Sequence, residues 1–481
     1  SPTTQERPMA APDREKHPPG LYVLFATEMW ERFSFYTMLA MFTLYLRDAT
    51  DGFGWTSDRA TALYSNYLMW VYASPLIGGW IADRGLGYRR SVMVGGVFFI
   101  AGHLLLAFKS EMAVYAALAC LVIGNGFFKP NVSAMVGNLY PEGSRLKDRA
   151  YNIFYMGINV GAFLAPVIAE MVKSRWGFHP AFAVAAIGMV ISVAILWIWK
   201  RHVTDPARTP GATATAKTTA PQAIDAVPDR WRIAALIAIY AIVIVFWMVF
   251  KQNGSTMTYW ANENTAWNVS GVLSNAINPL YIILFTFPLV GFWRWLDQRG
   301  REPSTPAKMA IGMFLTASAF ALLGMGAIQG EATVPAGSYD YRVSPLWLLG
   351  AYGVLTLGEL MLSPMGLSLV SKVSPLRHRG IMMGGWFIAT AIGGKLTMIG
   401  KLWDDMPHST FWLMLAGMAA FMGLVLSRAL RPLQGPLPGV IRTPLPDPRR
   451  PRTSSVRGRS CLGSRLSPSC ANAGTTTWRA P

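Results

Sequence analysis

The chain has 481 residues, 52% hydrophobic and 14% charged, with a formal net charge of +18. Its apolar runs are too long and too many for one soluble core. Cys120, Cys461 and Cys470 give neither a disulfide framework nor a metal-ligand spacing. The positive charge does not point to nucleic acid. Basic residues sit in short loops between apolar runs and in a Pro/Arg-rich tail, as suits a membrane protein facing an anionic leaflet. The first 20 residues hold no apolar h-region, so no cleaved signal peptide is expected.

About 20 apolar residues suffice to cross a bilayer. Twelve such spans are expected. The first six cover residues 21–46, 60–82, 91–108, 112–139, 151–172 and 181–199; the second six cover 231–260, 272–296, 309–328, 345–370, 381–402 and 411–430. The expected fold class is an all-α membrane protein, twelve transmembrane helices in two six-helix halves. An N-terminal segment, 1–20, precedes a bundle at 21–200. A polar linker rich in Thr, Ala and Pro, 201–230, leads to a second bundle at 231–431. Composition predicts disorder for the basic tail at 432–481.

Loop charge sets the orientation. One set of loops carries Arg84, Arg89, Arg90, Arg145, Lys147, Arg149, Arg208, Lys217, Arg299, Arg301, Lys372 and Arg377. The opposite set holds Arg47, Arg59, Lys109, Lys173, Arg175, Arg342 and Lys401. The positive-inside rule places the first set and both termini in the cytoplasm, with the chain multi-pass in the cell inner (plasma) membrane. Two six-helix halves with a basic central loop resemble the major facilitator superfamily. The run Asp83-Arg84-Gly85-Leu86-Gly87-Tyr88-Arg89-Arg90 resembles its loop motif, with one extra residue. That resemblance implies a latch of Asp and Arg pairs at the helix ends.

Several residues stand where hydrocarbon should exclude them: Glu28, Glu31, Arg32, Lys129, Asn159, Glu359 and Lys251. Each ionised group costs roughly 2.5–3.5 kcal/mol to insert, so each should face a partner or a watery cavity. On a helix Glu28 and Glu31 are spaced i,i+3 and Glu28 and Arg32 i,i+4, which puts all three on one face. Their excess negative charge calls for another cation, and Lys129 is the candidate. Tyr36, Tyr72 and Trp386 can supply aromatic walls. Pro130 and Pro364, beside small residues, predict bent or broken helices in matching halves and a midplane site between them.

The run Glu28-Met29-Trp30-Glu31-Arg32-Phe33 resembles the first-helix motif of proton-coupled oligopeptide transporters. Gly126-Phe127-Phe128-Lys129-Pro130-Asn131 resembles their fourth helix. Phe154-Tyr155 through Ile158-Asn159 and Gly161 is similar to their fifth. Gly358-Glu359 through Ser363-Pro364 and Gly366-Leu367-Ser368 is similar to their tenth. The resemblance implies roles. Arg32 and Lys129 would hold a peptide carboxylate and interact with Glu28 and Glu31. Tyr36, Tyr72, Asn159 and Asn278 would contact the peptide backbone. Glu359 would meet the amino group, and Trp386 would line a side-chain pocket. Glu28, Glu31, Arg32, Lys129 and Glu359 would carry proton coupling.

The chain departs from the family at two positions that commonly form an ion pair between the halves. Leu39 stands where Arg is usual, and Lys251 where an acid is usual. We therefore expect Lys251 unpaired toward the outer half of the cavity, and the outer gate closing by packing around Leu39 rather than by charge. The expected function is symport of di- and tripeptides with protons by alternating access. Small peptides and the lipid bilayer are the expected partners, with no nucleic acid, no cofactor beyond the coupling proton, no metal, and a monomer. Transport of nitrate or another small anion, and a non-transporting nutrient sensor, stand as alternatives. An enzyme is not expected: neither His-Glu-x-x-His nor Gly-x-Ser-x-Gly occurs.

Overall fold

The computed structural model describes residues 17–140, 146–203, 228–374 and 379–429. The linker between 204 and 227 and the tail beyond 429, with the expectations of flexibility and disorder made for them, lie outside the described residues. So do Arg145, Arg208, Lys217 and Arg377 of the loop count.

Apolar sequence of helical length gives helices throughout. The first half comprises α1 (Pro19–Arg47), α2 (Ser57–Ile81), α3 (Tyr88–Leu106), α4 (Glu111–Asn138), α5 (Leu146–Trp176) and α6 (Phe178–Ile198). The second comprises α7 (Asp229–Phe250), α8 (Thr256–Glu263), α9 (Gly271–Ser274), α10 (Ile277–Gln298), α11 (Thr305–Glu331), α12 (Pro345–Val373), α13 (Arg379–Leu396) and α14 (His408–Ala429). The short helices α8 and α9 continue α7 and prefix α10, so twelve passes result. Nine of these are long and apolar enough to cross a membrane among the described residues. Helix α1 is not one of them, because Glu28, Glu31 and Arg32 sit in its middle. Hydroxyl side chains start several helices: Thr56, Ser110, Ser304 and Ser344 each accept a backbone N–H of the first turn.

Within the first half α1 packs on α5 and α6, and α3 on α4 and α6. Within the second, α11 packs on α12 and α14, and α7 on α13. The halves meet through α2 against α13 and α5 against α10. Large apolar side chains such as Ile77, Val97, Met112, Ile187, Phe287 and Phe421 remain more than half exposed on the outer helix faces. In water such a surface would be an aggregation hazard; in hydrocarbon it is solvated.

Of the bent or broken helices expected at the prolines, breaks do not occur: α4 runs on through Pro130 and α12 through Pro364. Beside Pro130 the Asn131 side chain donates to the Phe127 carbonyl at 2.7 Å. The helical interruptions are the 3-10 turns Lys251–Gly254, after α7, and Thr397–Trp403, after α13. In the Asp83–Arg90 loop, Asp83 accepts from the Tyr88 hydroxyl at 3.0 Å and Arg84 stacks over Trp80. Gly87 takes φ 78°, a conformation that favours glycine.

Glycine also sets the closest helix approach. A Cβ on Gly161 would stand 2.2 Å from the Met29 carbonyl oxygen, so α5 can press against α1 only without a side chain there. Gly161→Ala should therefore push these helices apart and cost about 1–3 kcal/mol. Gly417→Ala, where the added carbon meets nothing within 4 Å, should cost little. Thermal unfolding of the purified variants checks this: equal melting temperatures would refute the packing role of Gly161.

Candidate binding site between the helical halves

Helix α1 brings its ionisable residues to the interior of the bundle. Glu28 is 1%, Glu31 0% and Arg32 3% exposed. Arg32 turns its guanidinium back on its chain neighbour, with Nε and Nη2 both donating to the Glu31 carboxylate. Two parallel bonds of this kind are the strongest pairing Arg makes. Glu28 Oε1 stands 3.5 Å from Arg32 Nε, yet neither Glu28 oxygen has a hydrogen-bond partner. The three groups thus do share one face, and Glu28 is the less satisfied carboxylate. Arg32 also stacks over Phe35, 4.7 Å from the ring centroid.

Helix α4 supplies the counterpart. Lys129 points to the Tyr72 ring, 5.3 Å from its centroid. Arg32, Glu28 and Glu31 are close enough to act on it electrostatically, but no carboxylate among the described residues lies within 4.0 Å. The expected pairing of Lys129 with Glu28 and Glu31 is thus a longer-range attraction. One residue that sequence reasoning missed fixes this arrangement. Asn125 accepts from Arg32 Nη2 at 3.4 Å and donates to the Val71 carbonyl at 2.6 Å. It ties α1, α2 and α4 together. A polar residue between Gly124 and Gly126 in an apolar run was the available signal.

The second half offers the opposite pole. Glu359 on α12 accepts from Asn278 Nδ2 at 2.9 Å, and the same nitrogen lies 2.9 Å from Thr356 Oγ1. Asn278 therefore acts on Glu359. Tyr36 lies near Arg32, Tyr72, Tyr155 and Glu359. Tyr155 is 40% exposed. Asn159 is buried and donates to the Tyr155 carbonyl of its own helix. Trp386 is buried with its ring against Gly366, packed between helices.

Lys251 has no ion-pair partner among the described residues; its Nζ donates to the Tyr72 hydroxyl at 2.6 Å, with the Trp247 and Phe250 rings at 5.0 and 5.9 Å. One expectation needs correction: charge does join the halves at the distal end, where α1 finishes. Arg47 binds Glu263 at 2.7 Å and lies over Tyr259, while Lys401 binds Asp58 at 2.8 Å. Thr43 donates to the Gly254 carbonyl at 3.0 Å, and Lys173 to Ser270 at 2.9 Å. Leu39 is buried as expected. These loop charges pair across more than two hundred residues of sequence, which no local pattern reveals. Arg47, Glu263 and Lys173 line a cavity of about 630 Å³ that also holds Asp48, Asp51 and Asp404.

Comparison with known proteins agrees with this geometry. The family model described as POT family matches residues 89–221 and 209–401. The chain is 30% identical to the uncharacterized transporter YclF of Bacillus subtilis, over 86% of this chain and 95% of that protein. It is 31% identical to a di-/tripeptide transporter of Lactococcus lactis subsp. cremoris, over 80% and 90% of the two chains. A solved peptide transporter POT in complex with sulfate superposes with a TM-score of 0.76 at 28% identity, covering 89% of this chain and 97% of its own. Fold, buried charge and sequence together place the chain in the POT family.

Proposed function

We propose that the chain is a symporter importing di- and tripeptides with protons by alternating access. One observation carries the reading. A cationic pole, Arg32 and Lys129, and an anionic pole, Glu359, belong to opposite halves, and Tyr36 lies near both Arg32 and Glu359. A zwitterionic peptide matches both at once. Nitrate or another bare anion would leave Glu359 unmatched. The relatives are transporters, and no chemical step on the cargo is required. The proton is the coupling ion, without cofactor. We take the chain to act as a monomer in the inner membrane with both termini cytoplasmic, which makes the distal end the outer one.

The coupling follows from charge. With Glu28 and Glu31 ionised, Arg32 is held in a bidentate pair and is less available to an incoming carboxylate. A proton arriving on these acids weakens that hold and frees the cation for cargo. Buried ion pairs are poised for such exchange, because removing one charge leaves the other exposed to a large desolvation cost. Cargo then bridges the halves while Arg47–Glu263 and Lys401–Asp58 keep the outer end shut.

Uptake of labelled dialanine into liposomes tests this. It should require an inward proton gradient and collapse with a protonophore; unimpaired uptake on a sodium gradient alone would contradict it. Glu31→Gln should lose concentrative uptake and keep counterflow. Glu359→Gln should weaken dialanine binding more than tenfold, about 1.4 kcal/mol or more. Normal affinity in the folded variant would remove Glu359 from the site.

The outer closure has its own consequence. Arg47→Ala with Lys401→Ala should raise the population open at the outer end. Spin-label distances between the end of α1 and the end of α8 would then lengthen. An unchanged distance distribution would show that these pairs do not hold the gate.

A further inference from the structure

Lys251 stands where α7 gives way to its 3-10 turn and is 7% exposed. Its ammonium lies 4.8 Å from the Tyr72 ring centroid, and that of Lys129 lies 5.3 Å from the same centroid. Their separation cannot exceed the sum of those two distances. Among the described residues no carboxylate comes within 4.0 Å of either ammonium, and Leu39 offers no charge. Glu359 acts on Lys251 only from farther away. Two cations therefore lie beside one aromatic ring, the buried Lys251 and the partly buried Lys129, and the ammonium of Lys251 donates to a hydroxyl rather than to a carboxylate.

The balance of the whole cluster sharpens this. Glu28, Glu31 and Glu359 stand against Arg32, Lys129 and Lys251. With all ionised the charges cancel. One proton taken up on a carboxylate leaves an excess positive charge, which a zwitterionic peptide with neutral side chains does not neutralise. Uncompensated buried charge is costly, so an additional anion on the cargo is favoured. A peptide ending in Asp or Glu presents two carboxylates close together, one for Arg32 and Lys129 and one for Lys251.

We infer that Lys251, with Tyr72, forms a second anion subsite beside that of Arg32 and Lys129, and that the preferred cargo is a dipeptide with an acidic C-terminal residue. This rests on the peptide-transport reading.

The test uses the full chain purified in detergent, with displacement of labelled dialanine by Ala-Asp and by its neutral isostere Ala-Asn. Wild type should bind Ala-Asp at least tenfold more tightly than Ala-Asn. Lys251→Gln should reduce that ratio to within twofold of unity, and Lys251→Arg should preserve it. Arg59→Gln, which removes a cation paired with Glu111 at the distal surface, should leave the ratio unchanged. If Lys251→Gln fails to fold, the wild-type comparison decides alone. Equal binding of the two peptides by wild type overturns the inference and leaves peptide transport standing. A preference that persists in Lys251→Gln also overturns it. If dialanine itself does not bind, the transport reading falls and takes the inference with it.

Discussion

Everything in the site depends on holding a guanidinium inside a membrane protein. Arg32 cannot be neutralised at any ordinary pH, and alone in hydrocarbon it would be prohibitively costly. The protein answers with two carboxylates one and four residues away, and with an asparagine from α4. Glu31 takes the bidentate place. Glu28 is left with an approach of 3.5 Å and no hydrogen bond. An ion pair of this kind is poor as a source of stability and good as a switch, since a single proton or a single anionic cargo changes which partner the cation prefers.

The rest of the architecture places a second pole opposite this one and controls access to the space between. Asn278 and Thr356 orient Glu359 from the other half. Small residues bring α5 against α1 and α2 against α4, which keeps the first-half cluster rigid. The interruptions at Lys251–Gly254 and Thr397–Trp403 sit beside the interface, where neighbouring side chains serve the backbone. Gln252, for example, donates to the Thr397 carbonyl at 3.1 Å. At the distal end packing is joined by ion pairs between the halves, Arg47–Glu263 and Lys401–Asp58. Partly exposed pairs of that kind are individually weak, about 0–1 kcal/mol.

Much of this was legible in the sequence for a physical reason. An ionisable residue in an apolar run has few places to go, so Glu28, Glu31, Arg32, Lys129 and Glu359 announce an interior site. The twelve passes follow from the length of the apolar runs. The partner of each polar group did not follow. That Lys251 donates to Tyr72 was not legible, because Tyr72 is far away in sequence. Arg47 and Lys401 read as loop charges, since nothing local shows that Glu263 and Asp58 pair with them across the halves. The prolines do not mark the helix breaks: α4 runs on through Pro130, while the interruption after α7 carries no proline.

The central claim is that a dipolar cargo lies across the two poles. A structure of the protein with dialanine bound tests it most directly. The carboxylate is expected on Arg32 and Lys129, the ammonium on Glu359, and the Arg32–Glu31 contact loosened. A peptide bound in the reverse orientation, or bound away from Glu359 with the Arg32–Glu31 pair intact, would contradict it.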